Sequence, residues 1–151
     1  MKLLKRIGFV MLVVLVGIQF IPSSTNQDKA VPPSDFLVTN GVPENVRHIL
    51  RTSCYNCHSN NTSYPWYSRV QPVGWFLQNH INKGKSELNF SEFGSYSVRK
   101  QKSKLRSMVS QVEKDEMPLS SYTFIHREAR LSQENKKALI DYLNALQDSL
   151  Q

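Results

Sequence analysis

Residues 53–61 read SCYNCHSNN and hold both cysteines of this 151-residue chain, two residues apart, with His58 directly after the second. A chain that sets its only two thiols beside an imidazole must fold around whatever those three groups bind. Four uses are chemically distinct. A structural zinc ion takes four ligands, and the sequence offers no second C-x-x-C and no paired histidines; His80 and His126 are dispersed. A thioredoxin-like dithiol follows a strand in a βαβ setting, and no β-alternation is found anywhere in the chain. A plain disulfide would leave His58 without a role. Cys54-x-x-Cys57-His58 is, however, the spacing of covalent haem attachment. Two thiols add to the vinyl groups on one edge of a porphyrin, and the adjacent histidine is held beneath the iron. We therefore expect one haem c, attached through Cys54 and Cys57, with His58 as the proximal iron ligand.

The N-terminus, MKLLKRIGFVMLVVLVGIQFIP, has the layout of an export signal: a short basic start, an apolar run and a closing proline. The apolar stretch, residues 7–21, is at the short end for a spanning helix, which takes about 17–25 residues. Pro22 and the polar Ser23, Ser24 and Thr25 make a poor peptidase site. The expectation is an uncleaved anchor at residues 7–21 on the periplasmic side of the bacterial inner membrane; cleavage would leave the chain soluble in the periplasm. Bacterial cytochrome c attachment takes place outside the cytoplasm, so the leader and the cysteine motif agree. Three of the cations behind the formal charge of +7 lie in this leader, as Lys2, Lys5 and Arg6. Without them sixteen basic residues face twelve acidic ones. So mild an excess points to no nucleic acid and suits a redox partner protein with an acidic docking face.

The chain divides into a signal or anchor at 1–22, a polar, proline-containing linker or wrapping arm at 23–40, and a domain at 41–151. Apolar residues make up 40% and charged residues 21%, enough for a packed core. Four helical stretches follow one another in the domain. PENVRHIL lines up Val46, Ile49 and Leu50 on one face and leaves His48 exposed. PVGWFLQNHINKG opens at Pro72 and reads as stopped by Gly84. Val98 to about Glu113 carries a stripe of Leu105, Met108, Val109 and Val112. The last is capped by Ser132 and aligns Leu139, Tyr142, Leu143 and Leu146. Between the second and third, SELNFSEFGSY reads as loop with one short turn. The fold class expected is all-α: a cytochrome c-like helical domain wrapped around one haem, after an N-terminal apolar helix.

The sixth iron ligand is sought among few residues, since only Met108 and Met117 lie outside the leader. Met108 falls on an apolar stripe, where core packing explains it. Met117 stands among charges in EKDEMPLSSY, where a thioether needs something to cover it, and Pro118 disfavours helix at the residue before it. Met117 is the expected distal ligand. His80, four residues after Phe76, is expected to face the interior and bond to backbone or a haem propionate; His126 reads as a surface or capping residue. Tyr64, Trp66 and Tyr67 in SYPWYSRVQP can wall a porphyrin or serve as ordinary core aromatics. Arg69 is a candidate partner for a propionate, and Pro72 for the carbonyl that accepts from His58 Nδ1. The run Arg99, Lys100, Lys102, Lys104 and Arg106 either steers an acidic partner or is the solvated face of the third helix.

With these residues in hand, the chain resembles the bacterial haem-binding domain family of single-haem, cytochrome c-like proteins. The resemblance covers roughly Pro43 to Leu146 and rests on CYNCHSNNTSYPWYSRVQP, HINKGKSELNFSEF, EMPLSSYTFIHREARLS and ENKKALIDYL. It implies Cys54 and Cys57 as attachment points, His58 as the proximal ligand and Met117 as the distal one. The family tends to carry a glycine shortly before the Met-Pro pair, where this chain reads VEKDEMP. With both axial positions filled, the expected function is one-electron transfer and not catalysis. The alternative is a gas or peroxide sensor, or the haem subunit of a larger oxidase, should the distal methionine be labile or not be a ligand.

Overall fold

Helix periodicity dominates the folded chain as it dominates the sequence. The computed structural model describes residues 2–28 and 30–151; Met1 in the leader and Lys29 in the arm lie outside the described residues. Among the described residues there are eight α-helices and no strand: α1 Lys2–Ile18, α2 Phe36–Thr39, α3 Glu44–Ser53, α4 Tyr55–His58, α5 Val73–Glu87, α6 Val98–Glu113, α7 Ser120–Ile125 and α8 Gln133–Ser149. Three 3-10 turns punctuate them at Trp66–Arg69, Phe90–Ser95 and Arg127–Ala129.

The domain's core is built where the apolar stripes meet. Helices α6 and α8 pack against each other through Leu105 and Val112 on one side and Leu139 and Leu143 on the other. Val46, Ile49 and Leu50 of α3 close that layer. Both long helices begin as side-chain capping dictates. Ser97 accepts from Lys100 N–H, and Ser132 accepts from Asn135 N–H at 3.1 Å, which satisfies donors that an open helix end leaves free.

Two parts of the core lie in segments that read as loop or linker. The arm contributes Asp35, Phe36 and Leu37, all buried, with Asp35 capping α2 by accepting from Leu37 N–H at 2.9 Å. The turn after α5 contributes Phe90 and Phe93. Phe36 meets both rings edge-on, at centroid distances of 5.4 and 4.8 Å, and Tyr55 stacks flat on Phe90 at 4.9 Å. Edge and offset pairs of this kind contribute about 0.5–1.5 kcal/mol each beyond the area they bury. They fasten the start of the arm's core segment to the cysteine motif.

The second helix runs on past its expected stop. Gly84 lies inside α5, which runs to Glu87 with Leu88 as its C-cap. The glycine has another use, described below. The leader forms α1, 17 residues with none buried. Among the described residues no helix is long and apolar enough to cross a membrane.

Candidate functional site

A single helical turn organises the motif. Cys54 is the N-cap of α4, and its carbonyl accepts from the N–H groups of Cys57 at 3.2 Å and His58 at 3.0 Å. At 3.6 residues per turn, positions 54, 57 and 58 fall on one side of that turn, which is the geometric content of the C-x-x-C-H spacing. The turn is tied down from both sides by Asn56. Its Nδ2 donates to the Tyr122 hydroxyl at 2.9 Å, and its Oδ1 accepts from Ser63 N–H at 3.1 Å.

Helix α5 crosses α4 at close range because residue 84 has no side chain. A Cβ built there would lie 2.8 Å from the Cys57 carbonyl oxygen and 3.4 Å from His58 Cε1. The crossing carries the chain on to Leu88, whose carbonyl accepts from His58 Nδ1–H at 3.1 Å. The acceptor is therefore Leu88 and not Pro72, which caps α5 at its far end. With Nδ1 engaged, the ring presents Nε2. Burial lowers the His58 pKa below the ordinary imidazole range, against the opposing pull of the Leu88 and Gly84 carbonyls. The ring is thus neutral at physiological pH, the form that binds a metal.

His58 opens on a cleft of about 380 Å³, within the range of small-molecule and cofactor sites. Cys54, Met108 and Met117 line the same cleft, and its apolar walls include Leu88, Phe90, Val112 and Leu139. Lys83, Glu87 and Lys104 supply its charged groups, with Lys104 Nζ 3.9 Å from a Glu87 oxygen. Met117 reaches the cleft through the end of α6. The N–H groups of Glu116 and Met117 both donate to the Gln111 carbonyl, at 2.9 and 3.2 Å. Asp115 takes φ of 57° there, the left-handed conformation that glycine adopts without cost and aspartate tolerates.

The two thiols are unpaired. Burial, with a smaller contribution from Cys57, pushes the Cys54 thiol up to about 12, and burial raises Cys57 as well. A redox-active dithiol works through a thiolate of lowered pKa, so these two are poorly suited to that chemistry. Among the described residues no group of three or more His, Cys, Asp or Glu could hold a metal ion. The donors gathered are instead the His58 imidazole, the Met108 and Met117 thioethers and the Cys54 thiol beside an apolar slot, a set that suits iron in a porphyrin. Cys57, one turn on in α4, does not line the cleft.

The other residues singled out from the sequence are spread over a different surface. Tyr64, Trp66, Tyr67, Arg69 and His80 do not line the cleft. Tyr64 bridges to the arm and to α5, accepting from Asn26 N–H and donating to Gln78 Oε1, both at 2.7 Å. Trp66 and Arg69 are exposed. His80 rests on the exposed Phe76, with its Nδ1–H donating to the Phe76 carbonyl at 2.9 Å. His126 is the capping residue between α7 and the Arg127–Ala129 turn, as one of its two readings has it; it also stacks on Tyr122 at 4.4 Å and donates through Nδ1 to Glu128 at 3.2 Å. Its Nε2 then accepts from the Tyr67 hydroxyl at 2.6 Å. The basic run of α6 is divided, with Lys104 at the cleft and Lys100 over the Tyr96 ring at 3.6 Å. Leu88, Phe90 and Lys83 were missed, although HINKGKSELNFSEF contains all three; nothing in their spacing marks them as site residues.

Comparison with known proteins bears on the cofactor directly. No curated protein and no solved structure matches the chain. The profile of one family does, described as a haem-binding domain and matched over residues 13–145, a span that takes in the motif, both methionines and the cleft they share, and the chain belongs to that haem-binding family.

Proposed function

We propose that this chain carries one haem, attached through Cys54 and Cys57 with His58 and Met117 as iron ligands, and that it transfers single electrons on the outer side of a bacterial inner membrane. The observation that carries this reading is that Cys54, His58 and Met117 face one apolar-walled cleft, although 59 positions separate the two axial candidates in sequence. Bound there, haem supplies one-electron iron chemistry, with a potential raised by thioether ligation.

The chain's own residues hold and tune that centre. Leu88 fixes the His58 tautomer and ring orientation, as outer-shell acceptors do for metal-bound histidines. Phe90, Val112 and Leu139 give the slot apolar walls, and an apolar surrounding lowers the local dielectric and strengthens every charge interaction inside it. Lys83 and Lys104 place ammonium groups where carboxylates of a bound porphyrin would need partners. Were His58 and Met117 both to bind the iron, they would leave no coordination position for a substrate, which favours electron transfer over catalysis. The leader accounts for delivery: its basic start and apolar run direct export, and α1 then holds the domain at the membrane.

The test is the optical spectrum of the full chain produced in a host that matures cytochromes c. A c-type spectrum with the weak far-red iron–sulfur band is expected. Met117→Ala should remove that band, lower the potential and admit carbon monoxide, while Met108→Ala should keep the band. Absence of covalently held haem would overturn the attachment. An unchanged spectrum in Met117→Ala would assign the thioether to Met108 or the sixth position to another residue.

A further inference from the structure

The body of the domain exposes large aromatics in two places, Phe124 on α7 and the stretch from Trp66 to Phe76, and only the second is bonded to the leader. Phe36, Phe90 and Phe93 are fully buried, whereas Trp66 is 80% exposed and Phe76 61%. Val70 and Val73, between them in the chain, are also open to solvent. These four residues flank Gln71, and Gln71 is where the end of α1 is fastened. Gln19 Nε2 donates to the Gln71 carbonyl at 3.0 Å, and Gln71 N–H donates to Gln19 Oε1 at 2.9 Å. Phe20 and Ile21 follow at once and are exposed too. The exposed apolar residues of α1 are thus joined to those of the body through the paired glutamines, whose hydrogen-bonding groups partly satisfy each other, with Arg69 the exposed charge among them.

We propose that this face, Trp66, Val70, Val73 and Phe76 together with Phe20 and Ile21, rests in the headgroup region of the bilayer that receives α1. The haem-binding domain then lies against the membrane in one orientation and does not swing from a tether. The inference rests on the reading that α1 enters lipid. From Ile7 to Ile18 α1 is apolar on every side and has no buried residue, and such a surface is stable only in an apolar setting. Those 12 residues rise about 18 Å at 1.5 Å each, well short of the hydrocarbon core of about 30 Å, in keeping with a helix too short to cross a membrane. A short apolar segment draws its flanking residues into the interface, and here those flanks are Phe20, Ile21 and the patch bonded beside them. Tryptophan favours that depth. The charge agrees: no Asp or Glu occurs between Glu44 and Glu87, while Arg69 stands exposed within the patch. A stretch without carboxylates suits anionic lipid, which attracts nearby cations and repels acids; the acid that approaches it, Glu128, is bonded to His126 behind Tyr67.

The experiment uses the full haem-loaded chain in vesicles of phosphatidylethanolamine and phosphatidylglycerol. A trace of phospholipid carries a photoactivatable diazirine near the acyl carbonyl, and adducts are mapped by peptide mass spectrometry. Adducts are expected on residues 64–77 as well as on 7–21. Those on 64–77 should be lost in Trp66→Ser/Phe76→Ser while those on 7–21 persist. Adducts confined to 7–21 would overturn the seating and leave the anchor intact. Adducts on the exposed Phe124 and Ile125 in place of 64–77 would overturn it in favour of another face. No adduct on any segment would remove the anchor reading itself, and the seating with it.

Discussion

A methyl group at position 84 would sit 2.8 Å from the Cys57 carbonyl oxygen, a backbone atom that cannot rotate away. This one missing side chain sets how closely α5 approaches the motif turn. Gly84→Ala should gain about 1 kcal/mol of helix propensity and lose about 1–3 kcal/mol to overpacking. The expected result is a net destabilisation measured by denaturant unfolding, with a displaced His58 and a shifted potential. A variant as stable as the parent with an unchanged potential would show that the crossing can relax freely. The residue also marks where single-sequence reading fails. A glycine that ends a helix and a glycine that admits a neighbour look identical in one chain, because both follow from the absent Cβ. The acceptor for His58 was hidden for a related reason. Leu88 reaches it by a tertiary crossing, which leaves no local spacing to recognise. The motif residues themselves were legible because one helical turn, a purely local object, brings them together.

Among the elements, the long amphipathic helices were readable and the short ones were not. The bounds of α6 and the cap of α8 follow from apolar periodicity and side-chain capping, which operate within a few residues. The Phe90–Ser95 turn and α2 carry core aromatics on segments too short for any period to show, and only packing reveals them. The end of α6 is an intermediate case, since it substitutes aspartate where a glycine is expected. Asp115 holds φ of 57° and accepts from Lys136 Nζ. Asp115→Gly should therefore change unfolding free energy by no more than about 1 kcal/mol, since the relief of strain is offset by added freedom of the unfolded chain. Asp115→Val should cost about 1–2 kcal/mol, the penalty of a side chain that resists the left-handed region. It should also weaken the iron–sulfur band, because the turn it strains is the one that delivers Met117. Equal stability of the two variants would mean that the turn relaxes to negative φ at no cost.

At the scale of the whole molecule, the arm joins leader, motif and α5 into one unit. Gln27 and Asn61 form an isolated antiparallel bridge, with Asp28 N–H donating to the Asn60 carbonyl and Thr62 N–H to the Asn26 carbonyl, both at 2.9 Å. Asn26 is the knot. Its Nδ2 donates to the Ser59 carbonyl at 2.8 Å and to Thr62 Oγ1 at 2.9 Å, and its Oδ1 accepts from Lys85 Nζ at 2.6 Å. Three side-chain bonds of this kind, one assisted by charge, contribute about 0.5–1.5 kcal/mol each. Asn26→Ala is expected to cost about 2–3 kcal/mol and to speed proteolytic cleavage within residues 23–34. The c-type spectrum should stay unchanged, because the arm lies outside the cleft. A loss of stability below about 0.5 kcal/mol, within the range of an ordinary surface substitution, would make the arm a loose tether. The leader would then be joined to the domain through the Gln19–Gln71 pair and the backbone bridge at Gln27 and Asn61. A loss as large as expected, with faster cleavage, would mean that whatever holds α1 also holds the C-x-x-C-H turn. The position of that turn relative to the leader would then be set by the fold rather than by the length of a linker.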